Sequence, residues 1–311
     1  MKPGLSNINQ ILLLFLTGAV IFSASAIPPT DMNKTTAFNC FFRDENPAKD
    51  TSGNSTYTAH IDTLQYAGDE AINMAIASEG YTEDEMEKFR QEGEKLVKGL
   101  FSISPFNRFK GYFNLFLIRI PSAQSGISTP NHETDTPFKV RASGNGLDRL
   151  LVPDDIEACK RIADSLLGKK CDILCLAANF PDYGGAGGEI TVVSGHYMAT
   201  EILAHELGHS VGGLGDEYYS CEEFIGRFPN VALNAHDAPW IGIPGSGLYP
   251  LSRPDGSIAA YIPCQTDSSS RYCRMAMLGK EFCPVCEKAI SDAIEKLSSE
   301  CRLQRKSCRN G

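Results

Sequence analysis

The hydrophobic pattern of the chain begins with an amphipathic helix. Thr82 and Glu85 have the spacing of a capping box, in which each side chain bonds the backbone N–H of the other residue. Apolar residues then recur at helical intervals as far as Leu100. Aromatic and β-branched residues fill 112–120, which predicts a strand. A second helix is predicted over 153–168.

The later pattern adds two strands and two helices. Residues 172–178 form a short, nearly continuous apolar run, which is typical of a central buried strand. Residues 189–193 follow a glycine-rich turn and predict another strand. Helix signals run over 197–210 until two glycines end them, and a last helix is predicted near 288–298. This order of elements predicts an α+β (α/β-layered) domain with helices packed on a sheet.

The N-terminus has the pattern of a secretory signal peptide. Lys2 precedes an apolar run over 11–22, and a triplet of small residues ends at Ala26. The run is too short for an ordinary membrane span, so we expect cleavage after Ala26, with an uncleaved anchor as the alternative. Residues 27–56 are rich in Pro, Asn, Thr and Ser and are predicted to form an extended leader. One domain is predicted over 57–311.

Composition and charge exclude several classes of partner. The hydrophobic fraction of 42% and the charged fraction of 22% are ordinary for a globular protein. The net charge of −9 argues against a nucleic-acid partner and against adhesion to anionic membranes. We therefore expect a secreted, extracellular protein with no nucleic-acid partner and no stable membrane insertion after signal cleavage.

Cysteines are frequent, especially in the C-terminal part of the predicted domain. All 11 lie beyond the expected cleavage point, which in an exported protein predicts several disulfides and at least one free thiol. Cys283-Pro284-Val285-Cys286 is compatible with a redox pair or with half of a zinc site. Because no second CxxC sequence exists and export favours disulfides, a disulfide is the preferred interpretation.

Candidate catalytic chemistry lies in the segment His205-Glu206-Leu207-Gly208-His209. Residues i and i+4 of a helix lie one above the other, so both imidazoles can reach one ion. Imidazole suits zinc, and a hydrolytic zinc site keeps an open fourth position. Glu206 lies beside the first ligand, where its carboxylate can take a proton from a water molecule activated by the metal. The segment predicts one catalytic Zn²⁺ ion.

The third metal ligand is predicted just after the helix. Glycines at 212, 213 and 215 allow the chain to fold back beneath the ion. Asp216 is the candidate ligand and Glu217 the alternative. The competing interpretation is that Asp216 caps a turn while Glu217 is a solvated surface charge.

The segment from His205 to Tyr218, HELGHSVGGLGDEY, resembles the active-site signature of the IgA-peptidase (igalysin) family of zinc metallopeptidases in the metzincin clan. A serine-rich loop at 121–126, a glycine turn at 183–188 and a block over 273–286 are also similar to segments of that family. The likeness covers about residues 60–298.

This resemblance implies a metzincin-like zincin catalytic domain, with a mixed sheet and an active-site helix, over 57–311. It also implies that Met275 is the methionine of the Met-turn, packed under the zinc, although ordinary core packing would use the residue in nearly the same way. One departure concerns the third ligand. Gly215 occupies the position at which metzincins have a third histidine, and Asp216 comes one residue later.

The predicted function is that of a secreted zinc endopeptidase acting on extracellular proteins or peptides. Strand 189–193 is a candidate rim that pairs with an extended substrate, or else a plain edge strand. Tyr218, Tyr219 and Tyr272 are candidates for contacting the substrate or stabilising the oxyanion. The alternatives are a zinc-binding adhesion protein with little turnover, built on a peptidase scaffold, and a zinc hydrolase acting on other substrates.

Overall fold

The computed structural model describes residues 47–49, 56–143, 147, 149–218, 228–264 and 272–309. Its strands are β1 (Pro47–Lys49), β2 (Thr56–Thr58), β3 (His60–Gln65), β4 (Ile72–Glu79), β5 (Phe113–Arg119), β6 (Val140–Arg141), β7 (Val152–Pro153), β8 (Ile173–Ala178), β9 (Gly185–Ala186), β10 (Thr191–Ser194), β11 (Tyr249–Ser252) and β12 (Ile258–Ile262). Its α-helices are α1 (Met86–Leu100), α2 (Phe106–Phe109), α3 (Ile156–Leu167), α4 (Ala199–Ser210) and α5 (Pro284–Arg309). The predicted signal peptide and most of the leader lie outside the described residues.

A mixed sheet of six strands organises the fold, in the order β3-β5-β4-β8-β10-β9. The inner strands β5, β4, β8 and β10 run parallel to one another. The outer strands β3 and β9 pair antiparallel with their neighbours. Every residue of β4 is buried, as expected of a parallel strand covered on both faces. The sheet confirms the predicted α+β class.

Helices cover both faces of this sheet. Met74 and Ile76 of β4 point into a core shared with α1, α4 and α5. Ala75 and Ala77 point the other way, into a second core that α3 covers. Each fully buried large aliphatic side chain of this kind contributes about 1.5–3 kcal/mol relative to an exposed one. Helix α4 is therefore packed between the sheet and two other helices.

The predicted helices are present, with shifted ends. A short 3-10 turn, Glu83–Glu85, precedes α1, and the backbone N–H of Thr82 donates to the Glu85 carboxylate at 3.0 Å. The Asp155 side chain caps α3 by accepting a hydrogen bond from the Ala158 N–H at 2.8 Å. The last helix is longer than predicted, since α5 runs from Pro284 to Arg309.

The prediction that 189–193 forms an edge or rim strand is wrong. The glycine-rich turn folds back, so that β9 pairs with Val192 and Val193 on the outer side of β10. The far side of β9 is paired as well, because the Gly185 N–H donates to the Arg149 carbonyl oxygen at 3.0 Å. A strand of two small residues has no periodic apolar signal, which is why the pattern did not predict it.

The hydrophobic pattern also missed the hairpin of β11 and β12 and the four strands, β1 to β4, that come before α1. In β4 the polar Asn73 interrupts the apolar run, yet it is buried and its amide donates to the Lys170 carbonyl oxygen at 2.8 Å. Within the described ranges, no helix has both the length and the apolar character needed to cross a membrane.

Candidate metal centre and active site

Helix α4 presents His205 and His209 on the same side, one turn apart. Their ring centroids are 4.8 Å apart and their Nε2 atoms 3.2 Å apart. Leu203 and Leu207 are almost completely buried on the side that faces the core. The i, i+4 spacing thus brings two imidazole nitrogens to one point, because burial of the leucines fixes the rotation of the helix.

The other ring nitrogen of each histidine is held by a backbone carbonyl. Nδ1 of His205 lies 3.1 Å from the Arg274 oxygen, and Nδ1 of His209 lies 2.8 Å from the Leu214 oxygen. A carbonyl can only accept, so in the neutral form of each ring Nδ1 carries the proton and Nε2 has the lone pair. These two carbonyls select the tautomer that a metal ligand requires.

A glycine turn brings Asp216 back to the histidines. Gly213 ends α4 in the left-handed region with φ of 61°, which glycine adopts without strain. The N–H groups of Gly213 and Leu214 donate to carbonyl oxygens of the helix at 3.1 Å each. The chain reverses, and Oδ1 of Asp216 lies 3.2 Å from His205 Nε2 and 3.4 Å from His209 Nε2.

These three atoms form a triangle with edges of 3.2, 3.2 and 3.4 Å. A tetrahedral zinc ion with bonds of about 2.0–2.1 Å has ligands about 3.3–3.4 Å apart. Oδ1 of Asp216 is buried and faces the Nε2 atoms of both histidines. Two imidazoles and one carboxylate are a common catalytic zinc set, so the donor set fits this metal.

The electrostatics of the triangle favour a positive charge. Burial lowers the pKa of His209, but the Asp216 carboxylate outweighs burial and raises that pKa to about 9. Burial raises the pKa of Asp216, whereas the charges and hydrogen bonds of His209 and His205 lower it, and the net shift is well below its ordinary value. The carboxylate therefore stays ionised and stabilises a cation beside the imidazoles.

Glu206 lies between the histidines and the glycine-rich turn. A Cβ atom on Gly187 would lie 3.1 Å from Oε2 of Glu206 and 2.6 Å from its backbone oxygen. Only a glycine allows so close an approach, so the turn forms one wall beside the Glu206 carboxylate. Burial raises the pKa of Glu206, and the histidine charges oppose this rise.

The sequence profile of a peptidase family, described as IgA Peptidase M64, matches residues 63–229, which is more than half of the chain and includes the triangle and Glu206. The chain belongs to the IgA peptidase M64 family. A search of curated proteins finds no match to it. The family identifies the chain as a peptidase, whose substrates are proteins or peptides, and confirms the resemblance seen in the sequence.

In this M64 peptidase, Met275 packs directly beneath α4. Its side chain is fully buried, and a Cβ atom on Gly208, between the two histidines, would lie 2.7 Å from the Met275 sulfur. The preceding residue, Arg274, supplies the carbonyl that holds His205. Met275 therefore lies on the core side of α4, beneath the two histidines.

Glu217 does not lie where a third ligand or a surface charge would be. Its carboxylate is completely buried, and its Oε1 atom lies 3.1 Å from the Cys286 sulfur. The Asn230 amide donates to the same oxygen at 3.0 Å. The expectation of a solvated charge at this position is wrong, because the loop reversal that turns Asp216 towards the histidines turns its neighbour into the core.

The three candidate tyrosines differ in position. The Tyr218 hydroxyl lies close to Asp216, and burial together with that carboxylate raises its pKa. Tyr219 lies outside the described residues. Tyr272 immediately precedes Cys273 in the sequence. Within the described part of the chain, it has no hydrogen bond to the histidines, Glu206 or Asp216.

Two further residues near the site were not identified as functional from the sequence. Arg149 lies close enough for its charge to lower the pKa of Glu206, Tyr183 and Tyr218. Tyr183 is partly exposed, and the charges of Glu206 and Asp216 act to raise its pKa. Neither residue belongs to a periodic motif; the only sequence signal was the resemblance of the glycine turn that Tyr183 begins.

Proposed function

We propose that this M64 peptidase is a secreted, zinc-dependent endopeptidase that hydrolyses peptide bonds in extracellular proteins. The triangle of His205 Nε2, His209 Nε2 and Asp216 Oδ1, next to Glu206, carries the proposal. These three residues would hold the zinc. When bound, zinc polarises the scissile carbonyl and lowers the pKa of a water molecule.

The remaining chemistry belongs to residues of the chain. Glu206 accepts a proton from the attacking water and later donates it to the leaving amine. Its raised pKa suits both tasks, because a proton carrier works best when its pKa approaches the working pH. The Tyr218 hydroxyl, held next to Asp216, donates a hydrogen bond to the negative oxygen that develops on the carbonyl.

The experiment is a proteolysis assay on casein with purified chain. We expect activity that a chelator abolishes and added zinc restores. Glu206→Gln should lose about 10²–10⁴-fold in kcat while it still binds zinc. The matched control is Glu295→Gln, an exposed glutamate on α5, which should be as active as the parent protein. Equal activity with and without chelator would disprove the proposal. Tight zinc binding without turnover across diverse peptides would favour the binding-protein alternative.

Export is supported by the charged residue, apolar run and small-residue triplet that end at Ala26. Expression with the natural N-terminus should release a protein into the medium whose first residue is Ile27. N-terminal sequencing tests this directly. A protein retained in the cell with residues 1–26 intact would contradict it.

A further inference from the structure

A second cluster of metal-ligand side chains lies beneath the active-site loop. The thiols of Cys273, Cys283 and Cys286 and a carboxylate oxygen of Glu217 all lie within 4.8 Å of one another. None of the four residues is more than 6% exposed. Three soft sulfurs and one oxygen converging in the core form a donor set that zinc accepts.

The spacing is that of ligands around an ion. The sulfurs of Cys273 and Cys286 are 3.7 Å apart, and two thiolates on a tetrahedral zinc are separated by about 3.8 Å. A disulfide would bring them to about 2.05 Å. Oε1 of Glu217 lies 3.1 Å from the Cys286 sulfur and 4.0 Å from the Cys283 sulfur.

Some groups around the cluster favour negatively charged ligands. The backbone N–H of Cys283 donates to the Cys273 sulfur at 3.3 Å. Cys283 and Cys286 lie at the N-terminal end of the long helix α5, where the helix dipole stabilises thiolates. Asn230 donates to Oε1 of Glu217, the oxygen that faces the sulfurs, whereas Oε2 is buried without any partner among the described residues. A buried carboxylate with so few donors is costly, and a cation bound at Oε1 would offset part of that cost.

We propose that Cys273, Cys283, Cys286 and Glu217 form a second, structural zinc site. Binding releases the thiol protons to solvent, and the ion is held by three thiolates and one carboxylate in a closed, four-coordinate arrangement. Such a site has no open position for water or substrate, so it takes no part in hydrolysis. The site does not depend on the proposed function.

The position of the cluster explains what the ion would stabilise. Glu217 follows Asp216 directly, Cys273 comes two residues before Met275, and Cys286 lies in the first turn of α5. One ion would therefore tie together the loop of the third catalytic ligand, the methionine segment and the C-terminal helix. The rival arrangement is a set of disulfides, because the Cys264 thiol is hydrogen-bonded to Cys283 and offers a fourth sulfur.

The test begins with metal content. The full-length protein, purified without chelator, should contain two zinc ions per chain by mass spectrometry. The double variant His205→Ala/His209→Ala should retain one zinc ion per chain. Adding Cys283→Ser and Cys286→Ser to that variant should remove the remaining ion. Cys159→Ser, which removes a buried free thiol elsewhere, is the matched control and should leave zinc content unchanged. Zinc content that is insensitive to the cysteine changes would overturn the proposal.

A spectroscopic test covers the case in which the serine variants do not fold. Cobalt added to metal-free His205→Ala/His209→Ala protein should give an intense sulfur-to-cobalt charge-transfer band and a tetrahedral visible spectrum. Absence of the band overturns the proposal, as does thiol counting that finds Cys273, Cys283 and Cys286 in disulfides.

The fourth ligand is tested separately. Glu217→Gln should weaken zinc retention in the His205→Ala/His209→Ala background by at least about tenfold, and Cys264→Ser should not. The reverse result would replace Glu217 by Cys264 and overturn the assignment as stated. Because the catalytic histidines are absent from this background, failure here is distinguishable from failure of the peptidase proposal.

Discussion

The backbone N–H of Glu217 donates to the carbonyl oxygen of Met275 at 2.9 Å. This bond joins the loop that carries Asp216 to the segment that packs under α4. The same segment supplies the Arg274 carbonyl that holds His205. Two stretches of chain that are distant in sequence are thereby held in one backbone network around the three candidate ligands. The predictions below test parts of this network.

Asp216→Asn keeps the size of the side chain and removes its charge. Loss of a residue that only supports a metal ligand weakens metal binding by about 10–100-fold. Because Asp216 is itself a candidate ligand, we expect this change to weaken zinc binding at the catalytic site by more than that. The measurement is the free zinc concentration that restores half-maximal activity to chelator-treated protein. Asp237→Asn, an exposed residue of a surface turn, is the control. An unchanged midpoint for Asp216→Asn would exclude it as a ligand.

Gly187→Ala tests the wall beside Glu206. The new Cβ atom would lie 2.6 Å from the Glu206 backbone oxygen and 2.9 Å from the His209 Cβ, so the turn must move away from α4. We expect a loss of about 1–3 kcal/mol in the free energy of unfolding and a lower kcat. Gly111→Ala is a matched control, since a Cβ there meets nothing within 4 Å. Similar behaviour of the two variants would show that the close approach has no consequence.

Tyr218→Phe and Tyr272→Phe separate two tyrosines that the sequence could not distinguish. Of the two, Tyr218 is the one close to Asp216, and loss of its hydroxyl should lower kcat by about 10²–10³-fold with little change in KM. Tyr272→Phe should keep parental kinetics. Steady-state assays on one peptide substrate measure both variants. A larger effect at Tyr272 would reverse the assignment.

Met275→Leu and Met275→Ala test the packing under α4. Leucine nearly conserves the volume of the fully buried methionine, so the free energy of unfolding should fall by less than about 1.5 kcal/mol. Alanine leaves a cavity beneath Gly208 and should cost about 2–5 kcal/mol. Urea denaturation of the two variants gives both values. Equal costs would mean that the sulfur itself, rather than packing, stabilises the turn.

Glu79 is expected to make stability depend on pH. It is fully buried at the end of β4, and burial raises its pKa from 4.5 to about 7 despite hydrogen bonds from Thr136, Val140 and Phe138. A folded pKa above the unfolded one means that the native state retains a proton that the unfolded chain releases. This contribution to stability is complete below pH 4.5 and is lost as the pH rises through about 7.

This pH dependence is measured by comparing the parent protein with Glu79→Gln, whose new side chain does not titrate. The free energy of unfolding of the parent protein, relative to this variant, should fall by about 3 kcal/mol as the pH rises across that range. Glu83→Gln, an exposed change in the 3-10 turn before α1, should give no such trend. Parallel stability curves for parent and Glu79→Gln proteins would contradict the expectation.

The sequence by itself determined the local parts of this protein. The capping box before α1, the apolar runs of β5 and β8 and the i, i+4 pair of histidines on α4 are each specified by neighbouring residues. Helical geometry brings His205 and His209 together, and glycine favours the left-handed reversal at Gly213. The residues that resemble the family's active-site signature, His205 to Tyr218, also form one short stretch of the chain.

Only the tertiary structure decided the pairings between distant segments. The choice between Asp216 and Glu217 depends on which side chain the loop turns outward, and contacts with Asn230 and Met275 fix that rotation. The covering of β10 by β9, and the gathering of Cys273 with Cys286, likewise depend on chain segments that local patterns do not relate. Periodicity reports which face of an element is buried, but it contains no information about which partner buries it.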